Sequence, residues 1–272
     1  KASYQRVHQY LHLISNTSSP TPLDVWTPSG KYLKPQRGDQ WAVGYATERN
    51  NGNTFETEAF FKRTTNRYDY IDGAELVAND ALEQILLAGT ARAYGLELLY
   101  KKTQGALTGM VAYTLSKAEQ QAPGLSKDEP GINQGEWYAA PYDKTHDLSI
   151  SLGFKASDKW QWNANLIAQT GQPVTYPTGQ YSFMGSSIPN YGKRNEQRLP
   201  FYHRIDIAAT LYPEKNKGKR VQGNWVFGIY NLYNRRNAAT ISFRQDAETG
   251  KNQAYRLSIF GIVPSITYNI RF

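Results

Sequence analysis

The segment His146–Lys155, HDLSISLGFK, decides the fold class of this chain. Leu148, Ile150, Leu152 and Phe154 alternate with polar or small residues along it. Successive side chains of a β-strand point to opposite faces, so a period of two places all four apolar groups on one face. The segment therefore predicts a strand with one apolar face and one polar face.

The same alternation recurs along most of the chain, in segments of about ten residues. In the closing segment, Ile266, Tyr268, Ile270 and Phe272 alternate with polar residues. With the weaker examples included, the sequence predicts ten strands, at residues 2–14, 41–45, 55–62, 94–101, 107–115, 146–155, 160–169, 203–211, 224–233 and 255–272.

The connections between these strands alternate between short and long. An antiparallel meander places alternate connections at opposite ends, so we expect tight turns at one end and large loops at the other, as in outer-membrane barrels. The pattern predicts an all-β fold, an antiparallel transmembrane β-barrel meander. The short connections are 50–53, 104–105, 157–158 and a basic one at 214–222, and the long ones are 15–38, 71–90, 118–142, 171–199 and 235–254.

The tryptophans favour a membrane barrel over a soluble one. Trp41, Trp160, Trp162 and Trp225 lie next to the ends of predicted strands, as an aromatic girdle at a membrane interface requires. A soluble β-sandwich with tryptophans at its edges is the alternative, but such long loops on one side are unusual in a sandwich. We therefore expect the apolar face of each strand to contact lipid and the polar face to line a lumen.

The composition excludes several classes of protein. The chain has 272 residues and no Cys, which excludes a disulfide scaffold, a thiol nucleophile and a thiolate metal site. The longest nearly apolar stretch, Leu257–Ile266, is far shorter than the ~20 residues of a membrane-spanning helix. The net charge is +8, but basic residues are spread singly or in pairs outside the loop Lys215–Arg220, which disfavours nucleic-acid binding.

One short cluster has the residue types of a catalytic site. Asp143, His146 and Asp147 lie within five residues at the start of a strand, and an Asp–His pair can activate water. However, His146 and Asp147 are adjacent on a strand and therefore point to opposite faces. We expect a protein that is not an enzyme, with no catalytic residues, no metal site and no cofactor.

The long loops carry many aromatic residues of the kind found at exposed positions, with basic residues nearby. Such side chains can contact a planar, glycan or anionic ligand. Loops 118–142 and 171–199 hold most of them. The candidate ligand-binding residues are Trp137, Tyr138, Tyr142, Tyr176, Tyr181, Tyr191 and Arg194.

A series of short motifs, in order, resembles the C-terminal barrel half of TonB-dependent outer-membrane receptors. Each motif is weak alone, but their order and spacing together are specific, and the resemblance covers about residues 40–272. The motifs are Tyr94–Leu98 (YGLEL), Tyr113–Lys117 (YTLSK), Pro141–Asp147 (PYDKTHD), Gly171–Val174 (GQPV), Arg198–Asp206 (RLPFYHRID), Tyr230–Asn234 (YNLYN) and the terminal Phe272.

The resemblance implies a plugged barrel, a type that has 22 strands. The ten strands seen here would be its last ten, and residues 1–272 would be one barrel domain. The N-terminal plug and the earlier strands would then lie outside this chain. Tyr268, Ile270 and Phe272 resemble the terminal signal that the barrel-assembly machinery reads.

The function implied by the resemblance is active transport across the outer membrane. The extracellular loops would bind a scarce solute, which would then pass through the lumen of the barrel. The short turns would lie on the periplasmic side. The implied partners are outer-membrane lipid, the missing plug and barrel strands, the TonB complex acting through that plug, and the barrel-assembly machinery. A surface lipoprotein covers the loops in the glycan-importing branch of the superfamily. The sequence does not decide whether this chain has such a partner.

Two alternative functions stay open at this level. Ten strands can close as a self-contained outer-membrane hydrolase or protease with Asp143, His146 and Asp147 at the loop end, and pairing of the first strand with the last would indicate it. A soluble carbohydrate-binding β-protein is the other. The segment Glu75–Leu87 is compatible with a short amphipathic helix on a loop or with the top of a long hairpin.

Overall fold

The fold is that of a computed structural model, which describes residues 1–14, 25–74, 82–126, 128–184, 186–213, 222–245 and 252–272. In these residues the regular structure is β-strand apart from two short 3₁₀ helices, Leu82–Ile85 and Ile132–Gly135. No helix in these ranges is long and apolar enough to cross a bilayer. In chain order the strands are β1 (Ala2–Gln9), β2 (Leu11–Ile14), β3 (Val25–Pro28), β4 (Gln36–Arg49), β5 (Asn53–Tyr70), β6 (Leu86–Lys102), β7 (Leu107–Gln121), β8 (Tyr138–Ala139), β9 (His146–Lys155), β10 (Trp160–Gln169), β11 (Pro173–Val174), β12 (Pro177–Phe183), β13 (Ser186–Tyr191), β14 (Gln197–Arg198), β15 (Tyr202–Leu211), β16 (Gln222–Tyr230), β17 (Thr240–Gln245), β18 (Asn252–Leu257) and β19 (Val263–Arg271).

Ten of these strands form one antiparallel sheet, in the order β1-β4-β5-β6-β7-β9-β10-β15-β16-β19, and β8 adds an eleventh by pairing with β7. This confirms the predicted meander of ten strands. The other strands form two-stranded sheets within the long connections: β2 with β3, β11 with β14, β12 with β13, and β17 with β18.

The sheet is open where the described residues end. β1 pairs with β4 and β19 pairs with β16, and no ladder joins β1 to β19 in the part of the chain that the structure describes. Pairing of the first strand with the last was the sign expected of a closed ten-stranded barrel. Its absence from these residues disfavours the small closed hydrolase.

Several strands are longer than their apolar alternation predicts. β5 has 18 residues, β6 has 17 and β7 has 15, and each extends beyond its apolar segment at the loop end. The end of β5, Arg63–Tyr70, contains threonines and tyrosines that favour strands but lacks alternating apolar groups. The predicted first strand, 2–14, instead divides at Tyr10, because Leu11–Ile14 pairs with β3 and not with β4.

The segment Glu75–Leu87 is only partly described. Residues 75–81 lie outside the described ranges, residues 82–85 form a 3₁₀ helix, and β6 begins at Leu86. The described part therefore belongs to the top of the hairpin between β5 and β6.

The apolar rows are exposed, as a membrane barrel requires. Ile266 is 68% exposed and Ile270 is 59% exposed, and Leu152 and Phe154 are also exposed. A soluble barrel would have packed these side chains into a dry centre. In a transmembrane barrel they form the lipid-facing band.

The opposite face of the sheet is polar. Ser151 donates its Oγ hydroxyl proton to Asn165 at 2.8 Å, and Asn269 bonds Asn224 at 2.9 Å. Arg204 and Asp206 on this face form an ion pair with Nη2 and Oδ2 2.9 Å apart. This face lines the lumen of a barrel of this type.

Exposed aromatic residues form two bands on the lipid-facing side. At the turn end, the Trp225 ring lies 4.7 Å from that of Tyr268, and Trp160 lies 6.3 Å from Trp162. Nearer the loop end, four aromatic residues face one another on successive strands and form what we call the aromatic row: Tyr4, Trp41, Phe61 and Tyr94. The prediction of Trp41 at a strand end was wrong, because β4 continues five residues past it toward the loops, to Gln36.

The short turns agree with the prediction at three of the four places. Asn50–Gly52 connects β4 to β5, and Gly52 adopts a φ of +73°, which is accessible to glycine without strain. Residues 103–106 and 156–159 make the other two turns. The basic connection, predicted at 214–222, lies outside the described residues except for Gln222, where β16 begins.

Candidate functional site at the loop end

The carboxylate of Asp69, at the end of β5, joins three elements at the loop end. It accepts hydrogen bonds from Gln120 Nε2 at 2.7 Å, from the Tyr138 hydroxyl at 2.7 Å and from Arg194 Nη1 at 2.8 Å. These donors come from β7, from β8 and from the connection between β10 and β15. Charge-assisted hydrogen bonds of this kind are about twice as strong as neutral ones, so this carboxylate fixes the loops relative to the sheet.

Arg194 is the strongest link in this arrangement. Besides Asp69, its guanidinium donates to the Tyr70 carbonyl at 2.9 Å and to the Asp72 carboxylate, and it lies 4.5 Å from the centre of the Tyr70 ring. Its backbone exchanges two hydrogen bonds with the Asn133 side chain, at 2.7 and 3.0 Å. Burial opposes the charge of Arg194, but the carboxylates of Asp69 and Asp72 hold its pKa above the ordinary value. The side chain therefore stays charged.

A cavity of about 430 Å³ opens beside this cluster. Three of its lining residues carry a buried polar atom with no hydrogen-bond partner among the described residues: Arg67 at Nε, Gln120 at Oε1 and Tyr176 at its hydroxyl. An unpaired buried polar group costs about 1–3 kcal/mol, so native proteins usually pair such groups with water or a ligand. The full lining is Leu13, Ile14, Arg67, Tyr68, Asp69, Tyr70, Gln120, Pro141, Pro173, Val174, Thr175, Tyr176, Arg194, Asn195, Thr240 and Ile241.

Two phenols at the loop end keep their protons at neutral pH: Tyr176, which lines the cavity, and Tyr138, which does not line it but contacts Asp69. Burial raises the pKa of Tyr176 above its ordinary value. Burial and the adjacent Asp69 carboxylate raise the pKa of Tyr138 far above it. Tyr138 donates to Asp69, whereas the buried Tyr176 hydroxyl has no hydrogen-bond partner among the described residues.

Of the seven predicted ligand-binding residues, three meet here and four do not. Tyr176 and Arg194 line the cavity, and Tyr138 contacts the same carboxylate as Arg194. Tyr181 and Tyr191 are exposed on the β12–β13 hairpin, which begins one residue after Tyr176. Outside this region, Tyr142 is exposed without lining the cavity, and Trp137 packs over the Arg92 guanidinium at 4.1 Å.

Sequence reasoning missed Arg67, Asp69, Asp72 and Gln120. All four lie on polar strand ends or just beyond them, where no apolar alternation marks the structure. Asp69 and Arg194 are separated by 125 residues along the chain, and only the register of the sheet brings them together. The two acidic residues in DYIDG (Asp69–Gly73) were the one local signal.

The alternative catalytic cluster does not form a site. The Asp143 carboxylate is fully buried, paired with Arg198, and accepts the Ala118 backbone N–H at 2.6 Å. His146 lies on the lipid-facing side, where Nδ1 meets the Tyr113 hydroxyl at 2.8 Å, and Asp147 points to the polar face. The structure therefore gives no support to a hydrolase site formed by Asp143, His146 and Asp147. Adjacent strand residues cannot share a face, and Asp143 is occupied by a structural ion pair.

The predicted assembly signal lies on the edge strand β19 and just beyond it. Tyr268, Ile270 and Phe272 are exposed, and Tyr268 packs against Trp225 of β16. Their side chains belong to the lipid-facing row, so they are accessible to an external partner from that side.

Three solved structures share the fold of the chain. The ferric-catecholate import receptor Fiu from Escherichia coli K12 is 14% identical, with a TM-score of 0.56 over 99% of this chain and 32% of its own. The ferripyoverdine receptor of the outer membrane of Pseudomonas aeruginosa is 11% identical, with a TM-score of 0.60 over 99% and 30%. The outer membrane transporter YddB from Escherichia coli is 10% identical, with a TM-score of 0.55 over 90% and 33%.

A family model, and not a curated relative, assigns this chain to a family. No curated protein matches the chain at a significant level. The chain spans about a third of the length of the three solved structures it matches. The model of the family described as TonB dependent receptor-like, beta-barrel matches residues 2–232, which is most of the chain. The open antiparallel sheet, its lipid-facing apolar rows and this match agree: the chain belongs to the TonB-dependent receptor-like β-barrel family.

Proposed function

We propose that this chain forms part of the wall and the solute-binding loops of a TonB-dependent active transporter of the outer membrane. The observation that carries the proposal is the loop-end cavity, where Arg67, Gln120 and Tyr176 each present a buried, unpaired polar atom. A cavity with a few converging polar groups is the usual form of a ligand site. The bound solute then passes through the polar lumen.

Residues 1–272 act as one barrel domain within a larger protein. The free edges of β1 and β19 pair with barrel strands supplied by the rest of that protein, because open sheet edges are not tolerated in lipid. The plug occupies the lumen and engages the TonB complex, and the barrel-assembly machinery inserts the barrel with the help of Tyr268, Ile270 and Phe272. The long loops are extracellular, where a surface lipoprotein is a candidate partner, and the short turns are periplasmic.

The names of two structural neighbours suggest the first class of solute to assay. One imports a ferric catecholate and the other binds ferripyoverdine. Both are ferric chelates, rich in anionic oxygen atoms, which guanidinium and phenol groups such as those of the lining residues Arg67 and Tyr176 bind as donors. The exposed Tyr181 and Tyr191 rings add flat surfaces above the cavity.

Tyrosine substitutions in the full-length receptor test this proposal. We expect Tyr191→Ala to weaken binding of the transported ferric chelate about tenfold, as loss of an aromatic anchor does. Tyr176→Phe removes one hydrogen bond, worth about 1 kcal/mol, and should weaken binding about fivefold. Affinity is measured by titration of the purified receptor with ferric-catecholate and ferripyoverdine complexes, and transport by uptake of the same complexes into cells.

Tyr212→Ala is the matched control. Tyr212 is also an exposed tyrosine, but it lies just after β15 at the turn end. This variant should bind and import the chelate as the unaltered receptor does. If Tyr176→Phe and Tyr191→Ala both match Tyr212→Ala for every chelate that the receptor binds, the loop-end cavity is not the solute site.

A further inference from the structure

A buried histidine, His12, lies in the wall of the loop-end cavity. It is on β2, is 1% exposed, and precedes Leu13 and Ile14, which both line the cavity. Its ring meets the Tyr68 ring edge-on, with the ring centres 5.1 Å apart, and Tyr68 lines the same cavity. A change that expels the His12 ring from its place therefore moves part of the cavity wall.

The hydrogen bonds of His12 select the neutral form of its ring. Gln36 donates an Nε2 amide proton to His12 Nδ1 at 3.3 Å, so Nδ1 carries no proton of its own. Nε2 then carries the ring proton and donates it to the Ser29 hydroxyl at 2.9 Å. A second proton, at Nδ1, would face the Gln36 amide donor, break that hydrogen bond and set two donors against each other.

The surroundings of His12 do not compensate a positive charge. Burial and, to a smaller extent, the guanidinium of Arg67 lower the pKa of His12 below its ordinary value. Arg67 is the one charged group among the described residues that acts on this pKa. Burial raises the pKa of the adjacent Tyr68, so that phenol stays neutral. The Lys34 side chain is exposed, and its backbone N–H donates to the Tyr68 hydroxyl at 2.6 Å.

The small β2–β3 sheet is held in place by few contacts. Its ladder has four residue pairs, and the buried apolar cluster that it joins consists of Ile14, Leu33 and Tyr68. Units with so little buried apolar surface open locally at a low cost in free energy. We call the packed arrangement the closed state, and the arrangement with β2 and His12 in water the opened state.

The direction of the pH effect follows from these two states. In the opened state the pKa of His12 is that of a histidine in water, about 6.5. The pKa is lower in the closed state, so the opened state takes up a proton first as the pH falls. The closed state is therefore fully stable above about pH 6.5 and loses stability below it.

We propose that protonation of His12 opens the β2–β3 side of the loop-end cavity in acid and thereby weakens binding of the solute. Leu13 and Ile14 leave the cavity lining when β2 opens. The opening follows from the packing of His12 alone. Its effect on the solute rests on the proposed function of the cavity, and the experiment separates the two.

Hydrogen exchange measures the opening with no solute present. The full-length receptor is placed in lipid nanodiscs, and protection factors are corrected for the intrinsic effect of pH on exchange. We expect the β2 amides to lose protection about tenfold between about pH 7.5 and 5.5, because the opened state gains a proton over this range. The β17–β18 sheet also lines the cavity, through Thr240 and Ile241, and contains no histidine, so it should keep its protection.

Two histidine variants assign the loss of protection. His12→Gln keeps a neutral side chain that donates and accepts hydrogen bonds, so the protection of β2 should no longer depend on pH. His8→Gln is the matched control, because His8 is exposed on β1, and this variant should keep the tenfold dependence. Equal protection of β2 at both pH values in the unaltered receptor would overturn the proposal, even if His12→Gln leaves β2 open. So would a pH dependence that persists in His12→Gln.

Binding of the ferric chelates tests the effect on the solute. Acid also changes the chelates themselves, so the readout is the affinity of the unaltered receptor divided by that of His12→Gln at each pH. We expect this ratio to fall by up to about tenfold between the same two pH values. A constant ratio in a receptor whose binding Tyr176→Phe does weaken would overturn the regulation of binding by His12. If Tyr176→Phe and Tyr191→Ala also leave binding unchanged, it is the proposed function of the cavity that fails.

Discussion

Substitution of Ile150 by arginine is expected to destabilise the folded barrel by about 2–4 kcal/mol, the cost of a cationic side chain at the lipid-facing midplane. Ile150 lies at the middle of β9 and faces Val111 on β7 and Leu166 on β10. All three side chains belong to the apolar side of the sheet. The free energy of unfolding is measured by urea titration of the full-length barrel refolded into lipid vesicles.

Ser151→Arg is the matched control for this substitution. Ser151 follows Ile150 on the same strand but points to the polar face, where it bonds Asn165. Loss of that hydrogen bond should cost about 1 kcal/mol. A larger loss for Ser151→Arg than for Ile150→Arg would mean that the lipid touches the other face.

The second large effect is expected at Asp143. Asp143→Ala leaves Arg198 without its carboxylate and the Ala118 N–H without its acceptor, so we expect a loss of about 3 kcal/mol. Arg198 also donates to the Gly171 carbonyl at 3.0 Å, and the ion pair therefore joins the loops that follow β7 and β10. Thermal unfolding in detergent and protease cleavage of these loops measure the effect.

Asp147→Ala is the matched control for Asp143→Ala. Asp147 is half-buried, and its contacts to Gln169 and Lys144 are long, at 3.4 and 3.9 Å. Pairs of this kind contribute about 0–1 kcal/mol, so Asp147→Ala should unfold close to the unaltered protein. If Asp143→Ala and Asp147→Ala lost the same amount of stability, the buried ion pair of Asp143 would not be the source of the effect.

The strand order was predictable because the lipid imposes a period of two on the apolar residues. Leu148, Ile150 and Leu152 carry that period without interruption. The period stops where a strand leaves the lipid, and the sequence therefore did not indicate how far β5 extends past Arg63. Strand pairing continues there through backbone hydrogen bonds, which leave no mark on the pattern of side chains.

The candidate site was predictable only in part, for a different reason. Loop aromatic and basic residues are common in ligand sites, and this indicated Tyr176 and Arg194. Asp69, which Arg194 contacts, is marked in the local sequence only by a second acidic residue, Asp72. Its role depends on the sheet register that carries the end of β5 to the connection after β10. Local sequence contains no information on such a contact.

The alternation of lipid-facing and lumen-facing side chains is the central claim, and single cysteines test it most directly. Residues 1–272 contain no Cys, so in a receptor whose remaining cysteines are replaced, one cysteine at a time can be placed at residues 148–153 and labelled with a fluorophore. In the full-length receptor in vesicles, we expect quenching by a lipid-bound nitroxide at 148, 150 and 152. A water-soluble quencher should act preferentially at 149, 151 and 153. The reverse order, or equal quenching at all six positions, would contradict a barrel with lipid on its apolar face.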